Sequence, residues 1–364
     1  MDRTTTNGTP RNRPTTTPET MYAVVAHDYG PPSALAVEEV PIPRPGPGQM
    51  QVRVTAAALN PADLRSLSGV LADLAPLRFP HIPGSDFAGT VTEVGAAVER
   101  FVVGDEVFGL GLPRAAPRMA SLVSTPPSLT TGTMAEYAIF EADTPALAFR
   151  PPGLSAERAA TLPIVGLTAL SLLRAGRFRA GETVLVIGAT GGVGSAAVPL
   201  LAAANVYLIA TASPTNDDYV RALGAHEVID HRSTDIATET ARRFPDGVDA
   251  VVNLALPGDR LVDLSRVIRP GGRLLNVAHP SPDPTAFAGR ITVTTVYGTA
   301  RPGDLDELAA RALDGTLPEA ISRRYPLTAG ALAFRELAEL HTHGKLVITT
   351  ATPTIPHQPA PPTH

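Results

Sequence analysis

The stretch from Thr183 to Gly194, Thr-Val-Leu-Val-Ile-Gly-Ala-Thr-Gly-Gly-Val-Gly, constrains the fold more than any other part of the chain. Thr183 to Ile187 are β-branched or apolar and follow a Gly181-Glu182 turn, the pattern of a parallel strand buried on both faces. That strand runs directly into glycines. Gly191, Gly192 and Gly194 permit a tight turn, close approach of backbone amides to a pyrophosphate, and contact between the next helix and the strand. Ser195 to Ala204 read as that helix, with its N-terminal amides and dipole aimed at negative charge. The spacing is Ala189-x-Gly191-x-x-Gly194, with Thr190 and Val193 filling the loop and alanine where a dinucleotide fingerprint has its first glycine. A second strand, Asn205 to Ala210, leads to the place, about 20 positions beyond Gly191, where a ribose-binding residue belongs. Taken alone, the same pattern also describes an ordinary strand-turn-helix.

A chain of 364 residues has room for two domains of ordinary size. It has no apolar run near the ~18 residues of a membrane span, so no membrane association is expected. A net charge of -5 without a basic cluster leaves no footprint for nucleic acid. Cysteine is absent, which excludes disulfides, a thiolate nucleophile and any zinc site that uses sulfur. The first 20 residues lack the apolar core of a secretory signal, so the cytoplasm is the expected compartment. Residues 1–20 and 351–364, rich in Thr and Pro, are expected to be disordered tails.

Between Met21 and Arg150 short β runs alternate with Pro/Gly clusters: Tyr22 to Ala26, Leu35 to Val40, Gln51 to Leu59, Phe87 to Val94, Glu106 to Phe108 and Met134 to Phe140. Such spacing predicts a twisted, partly closed β domain. Beyond Leu154 the texture changes. Ser155 is the expected N-cap of a helix reaching about Arg174, interrupted at Pro163 and Gly166. Strands and helices then alternate: helices near Asp218 to Leu223 and Leu261 to Ile268, strands at Val228 to Asp230, Asp249 to Asn253 and Arg273 to Ala278. That is the pattern of a doubly wound parallel sheet, so the fold class is α/β, a Rossmann sheet plus a mainly β domain. The last 60 or so residues read as a strand from Ile291 to Tyr297, two helices, and a closing strand from Lys345 to Ile348.

Several segments in fixed order now bear on family: Leu59-Asn-Pro-Ala-Asp63, Pro83-Gly-Ser-Asp-Phe-Ala-Gly89 with Val94-Gly95, Val103-Gly-Asp-Glu-Val-Phe108 and Gly132-Thr-Met-Ala-Glu-Tyr137. They continue in Leu162-Pro-Ile-Val-Gly-Leu-Thr-Ala169, Gly188 to Gly194, Leu223-Gly-Ala225 with Val228-Ile-Asp230, and Gly344-Lys-Leu-Val-Ile348. Over about residues 21 to 350 the chain resembles the zinc-independent medium-chain dehydrogenase/reductases, in their NADPH:quinone reductase (zeta-crystallin-like) branch. The resemblance implies a GroES-like catalytic domain from residues 21–150 and 300–350 and a Rossmann NADPH-binding domain from 151–299, with the active site between them. It also admits Ala189 in the fingerprint. Zinc-dependent cousins carry Gly-His-Glu where this chain has Gly84-Ser85-Asp86, and a four-cysteine loop where it has Leu110 to Thr131, so no metal site is expected. His81, His341 and His343 remain, but a tetrahedral site needs three or four convergent ligands.

The expected cofactor is NADPH. NAD-specific folds place an acid at the end of the second strand, and here that position reads Thr211-Ala-Ser213. The basic residue expected just beyond is missing, since the chain continues Pro214-Thr-Asn-Asp-Asp218. In the family a tyrosine or basic residue after the third strand touches the 2′-phosphate, and the matching pair here is His231-Arg232. Ser213 and Arg232, with Asn216 next, are therefore the phosphate candidates; a solvated loop residue is the lesser alternative for Arg232. Thr168 and Asn253 match places where the family meets the nicotinamide and its ribose, and Ala255, Val277, Ala278 and His279 lie at strand ends facing the same crevice.

Asn60 matches an asparagine that faces the nicotinamide, where its amide would donate to a substrate oxygen; a polar turn residue before Pro61 is the alternative. Arg65 stands where quinone reductases often carry tyrosine, and it is expected to act as an electrostatic stabiliser. His279 is either an acid or an idle loop residue. Without a metal Lewis acid, hydride addition to a conjugated enone or quinone is the reaction best supported. A pathway-specific enoyl reductase for one bulky natural product, with Gly111 to Thr131 shaping its pocket, and a non-catalytic NADPH-binding protein are the alternatives. Family members commonly pair strands like Ile291 to Tyr297 across a homodimer, so that run is either a dimer edge or an internal edge strand.

Overall fold

The computed structural model describes residues 19–73, 75–114, 128–287, 289–340 and 343–350. The chain opens with an antiparallel pair, β1 (Thr20–Val25) and β2 (Ala36–Pro41). Thr20 is thus inside a strand rather than in the expected tail, while residues 1–18 and 351–364 and His341 lie outside the described residues. Next come β3 (Gln49–Ala58), the helix α1 (Pro61–Leu67), β4 (Asp86–Val94), β5 (Glu106–Pro113), β6 (Ser128–Thr130), β7 (Tyr137–Glu141) and β8 (Leu147–Phe149). β3 pairs with both β4 and β7, so the sheet β3-β4-β5-β6-β7 curls back on itself as a barrel. Inward positions are filled by Met50, Val52, Phe87, Phe140 and Leu147, and the Phe87 and Phe140 rings stack 3.9 Å apart. Part of the segment Gly111 to Thr131, residues 115–127, lies outside the described residues.

Two helices follow, α2 (Ala156–Ala160) and α3 (Pro163–Gly176). The sequence suggested one helix broken at Pro163 and Gly166; instead the break is at Thr161-Leu162, because Pro163 starts a helix where its missing N–H costs nothing. Gly166 stays helical because Leu308 packs against it, where a Cβ would meet the leucine side chain at 2.5 Å. Ser155 does cap α2, accepting from the Arg158 N–H.

A parallel sheet then forms from β9 (Thr183–Ile187), β10 (Tyr207–Ala212), β11 (Glu227–Asp230), β12 (Val248–Asn253), β13 (Ile268–Asn276) and β14 (Thr292–Thr295). Its spatial order is β11-β10-β9-β12-β13-β14, every neighbouring pair parallel, the order of a Rossmann sheet. The helix after β9, α4, spans Gly192–Ala203 and so starts earlier than Ser195, taking two glycines into its first turn. The tight turn itself is Gly188, at φ +83°. Gly194 is required for another reason: a Cβ there would meet the Ala189 carbonyl oxygen at 2.3 Å. Ala189 sits fully buried and outside the left-handed region, which is why alanine is accepted there.

The chain returns to the barrel through α8 (numbered after α5, Asp217–Ala222, α6, Ile236–Arg243, and α7, Arg260–Leu264), which spans Asp304–Leu313. It ends with β15 (Ile321–Pro326), α9 (Gly330–Glu339) and β16 (Lys345–Thr349), the last pairing antiparallel with β3. One apolar cluster runs from Ala56, Ala58 and Phe108 of the barrel through Leu167 and Leu170 of α3 to Val184 and Leu208 of the parallel sheet. The two sheets therefore share a core rather than hanging on a linker. The Arg174–Asp304 pair ties α3 to α8 across it. Phe87→Ala should lower the unfolding free energy by about 3–5 kcal/mol, since it opens a cavity in the closed barrel; denaturant titration checks this, and a loss under about 1 kcal/mol would contradict the packing described.

Candidate active site

Where α1, β4, β16 and the start of α3 meet, five polar side chains are buried together. Asn60 precedes Pro61 and acts as N-cap residue to α1 rather than as part of a loop. Its backbone N–H donates to Asp63 Oδ2 at 2.9 Å, and Ser85 Oγ donates to Asp63 Oδ1 at 3.1 Å. The Asn60 side chain turns inward. Its Nδ2 donates to Asp86 Oδ2 at 3.0 Å and to the Ala58 carbonyl at 3.3 Å, while its Oδ1 accepts from Lys345 Nζ. Lys345 Nζ also lies 3.2 Å from Asp86 Oδ2, and Asp86 Oδ1 accepts the Ile164 N–H at 2.9 Å, in the first turn of α3. Lys345 is 3% exposed and Asp86 0%, so this ion pair sits in the interior with its remaining bonds supplied by Asn60 and a backbone amide. Burial, reinforced by the neighbouring Asp86 charge, pushes the Asp63 carboxyl up to about 7, against the pull of Lys345, the Asn60 N–H and the Ser85 hydroxyl. Burial raises Asp86 as well, opposed by Lys345 and by the bonds from Asn60 and Ile164.

This donor set does not fit zinc. Gly84-Ser85-Asp86 supplies a hydroxyl already spent on Asp63 and a carboxylate already holding a lysine ammonium, with no imidazole or thiolate in the cluster. His81 lies apart, its backbone paired with Ala26, and burial lowers its imidazole to about 4.

Beside the cluster, at the carboxyl end of β9, lies the glycine loop, the floor of the crevice in which open α/β sheets bind ligands. A Cβ on Gly194 would strike Ala189, and one on Gly192 would come within 3.1 Å of Lys345 Cδ and Val165. Gly191 is different, for a Cβ there would meet only the Gly188 carbonyl at 3.6 Å, an ordinary contact. Nothing in the protein demands glycine at 191, so the open side of that residue fits a ligand that approaches the backbone, as a pyrophosphate at the start of α4 does. The residues present thus fit a nicotinamide dinucleotide.

Around this floor the expected side chains take distinct parts. Thr211 Oγ1 accepts the Gly188 N–H at 3.2 Å and so braces the turn. Asn253 is fully buried: its Nδ2 donates to Leu256 O at 2.8 Å and Asn276 Oδ1 at 2.7 Å, and its Oδ1 accepts the Leu256 N–H at 3.0 Å. Asn253 therefore shapes the loop that carries exposed Ala255, with no amide group turned to the crevice. Asn276, opposite it on β13, donates to Ala278 O at 2.8 Å and sets the path of Val277, Ala278 and His279. Thr168 donates to Ile164 O at 2.6 Å and lies under Gly298, whose Cβ would meet its hydroxyl at 2.6 Å. Thr190 and Val193 stay half-buried in the loop. Asn60 likewise has both Nδ2 hydrogens committed, so it supports the floor of the crevice instead of presenting a donor to it.

At the mouth, Arg65 is half-buried on α1 and its Nε is buried without a hydrogen-bond partner. Burial lowers the Arg65 guanidinium, and burial together with the Arg65 charge lowers His279, so the two share one crevice wall. The His279 ring lies 6.3 Å from that of Tyr297, just beyond β14. At the opposite end, Ser213 is buried after β10 and bonded to Thr215 Oγ1 at 3.0 Å. Ala212 is in register with Asp230, which brings exposed His231 and Arg232 out beside Ser213. Asn216 Oδ1 contacts His343 Nε2.

Lys345, Asp86, Asp63, Asn276 and His343 had no role in the sequence reading. For Lys345 the signal was present, a lone lysine opening the apolar run Lys-Leu-Val-Ile; for Asn276 it was an asparagine at the same strand end as Asn253.

Residues 46–149 match the family model described as alcohol dehydrogenase GroES-like domain, and residues 223–348 that described as zinc-binding dehydrogenase. The chain is 31% identical over 347 residues to a chloroplastic quinone-oxidoreductase homolog of Spinacia oleracea, covering 90% of this chain and 98% of that protein. It is 32% identical over 345 residues to a chloroplastic NADPH-dependent alkenal/one oxidoreductase of Arabidopsis thaliana, covering 91% of this chain and 80% of that one. The solved quinone oxidoreductase of Coxiella burnetii superposes with a TM-score of 0.78 at 28% identity, covering 91% of this chain and 99% of that one.

The buried carboxyl has a consequence for stability. Below the unfolded value of 3.8 Asp63 is protonated in both states; between there and about 7 only the folded protein keeps the proton. Its stabilising contribution therefore falls as pH rises through that window and is lost above it. Asp63→Asn should flatten this slope, gaining on the parent by on the order of 1.4 kcal/mol per pH unit between about pH 4 and 7. Denaturant unfolding at both ends of the window checks it; parallel pH profiles would contradict a raised Asp63.

Proposed function

Because the chain belongs to the quinone-oxidoreductase family of medium-chain dehydrogenase/reductases, we propose that its crevice delivers hydride from NADPH to a quinone or an α,β-unsaturated carbonyl. Residues 21–150 and 300–350 then act as the catalytic domain and 151–299 as the cofactor domain. When bound, the nicotinamide supplies a hydride to an electron-poor carbon.

The observation that carries the reading is Arg65, a half-buried cation with an unspent Nε at the mouth of a crevice whose floor fits a pyrophosphate. In this reading its guanidinium stabilises the negative charge that grows on the substrate oxygen, and in a half-desolvated site such a charge counts for more than in water. Asn60, Asp86 and Lys345 act as the rigid floor, fixing α1 and hence Arg65 against α3 and the glycine loop. Partial burial and Arg65 lower the His279 imidazole, which disfavours a second cation beside the substrate. The proton that completes the product is assigned to water, which the exposed His279 and Tyr297 admit.

Ser213, with no acid at the end of β10, supports NADPH over NADH, and Arg232 emerges beside it. The outer edge of β14 pairs with no strand among the described residues, which supports a homodimer joined there. No helix among the described residues is long and apolar enough to cross a membrane; cytoplasmic residence is part of this proposal.

Purified protein should consume NADPH with benzoquinone, phenanthrenequinone or a simple enone, faster than NADH, as followed by loss of reduced-nicotinamide absorbance. Arg65→Met should lower kcat by about 10²-fold with little change in NADPH affinity. Binding of NADPH without turnover of any acceptor would overturn the reading.

A further inference from the structure

We infer that His343 is a cofactor-specificity residue, reading the 2′-phosphate of NADPH from the barrel side of the crevice; this rests on the NADPH reading above. The end of β10 offers hydroxyls but no cation. Ser213 and Thr215 are bonded to each other, and the chain continues through Asn216 into two acids, Asp217 and Asp218. Arg221, the next basic residue, is spent on Asp217 and on the His226 carbonyl. On this sheet a dianion seated there would meet Arg232, which emerges beyond β11, and hydroxyl donors beside two carboxylates; a further partner strengthens its hold.

The loop before β16 brings one from the other sheet. The Gly344 N–H donates to the Thr190 carbonyl at 3.0 Å, and Gly344 bridges to Gly191, so backbone bonds fix His343 one residue from the glycine loop. The imidazole edge is held by Asn216 through Nε2, and its face lies on Tyr219, ring centres 5.3 Å apart and 27° from parallel. Tyr219 is itself anchored, its hydroxyl 2.8 Å from Ser195 Oγ on α4. The ring is thus positioned from three directions at the ribose end of the crevice. The ring has two nitrogens; with Nε2 on Asn216, Nδ1 is the one left to meet a phosphate oxygen. Asp86 and Asp63 belong to the cluster around Lys345, and the acids that follow its Asn216 partner in the chain are Asp217, paired with Arg221, and Asp218.

Calorimetric titration of the full chain with NADP⁺ and NAD⁺ tests this without any turnover. The wild type should prefer NADP⁺. His343→Ala should weaken NADP⁺ about tenfold while NAD⁺ stays within about twofold, and His343→Arg should keep the preference. Equal weakening of both cofactors, or no change in either affinity, would overturn the assignment; in the second case Ser213 and Arg232 carry the phosphate and the NADPH reading stands. A wild type that binds both cofactors equally would sink both.

Discussion

A lysine ammonium buried between an asparagine and an aspartate is the interaction on which the rest of the site depends. Taking Lys345 and Asp86 out of water costs several kcal/mol per ion, and such a pair persists only when the remaining donors and acceptors are satisfied. Here they are: Asn60 spans the pair, the Ile164 N–H takes the second Asp86 oxygen, and Asp63 with Ser85 closes the far side. These groups come from four different elements, so satisfying one ion pair fixes α1, β4, β16 and α3 relative to one another. Removing a single partner would strand the other in the interior, a loss of about 3–5 kcal/mol.

The same arrangement explains why the crevice is polar at its floor yet short of free donors. Asn60, Thr168, Thr211 and Asn253 all spend their side chains on holding loops and helix ends in place. What faces outward is mostly backbone, at the glycine loop, together with Arg65 and His279 at the mouth. Reduction of a conjugated carbonyl needs little more from a protein than orientation and a well-placed charge. The shared apolar core through α3 keeps the two sheets at a fixed spacing, which suits a reaction that depends on distance.

Much of the fold was legible because the parallel strands are short apolar runs closed by turn residues. Thr183 to Ile187 is such a run, and the six-stranded order follows from its βα alternation. Elements that broke the pattern were missed for physical reasons. β15 reads Ile-Ser-Arg-Arg-Tyr-Pro, an edge strand whose arginines face solvent and pair with Glu157, Glu319 and Glu336. α1 begins Asn-Pro, which locally resembles a turn, although proline in a first helical turn is favourable. At the site, spacing pointed to the glycine loop and the strand-end residues, but the hydrogen bonds of Asn60 and Asn253 were not legible, since spacing says where a residue lies and not which neighbour takes its hydrogen bonds. Asn60 and Lys345 are 285 positions apart, beyond the reach of any local pattern.

The most direct measurement of the central claim is isotope transfer. NADPH carrying deuterium at the nicotinamide C4 position should place that deuterium on the β-carbon of a reduced enone, with the α-hydrogen drawn from solvent. Oxidation of the labelled cofactor without deuterium in the product, or with the label on oxygen or in water, would contradict hydride delivery in this crevice.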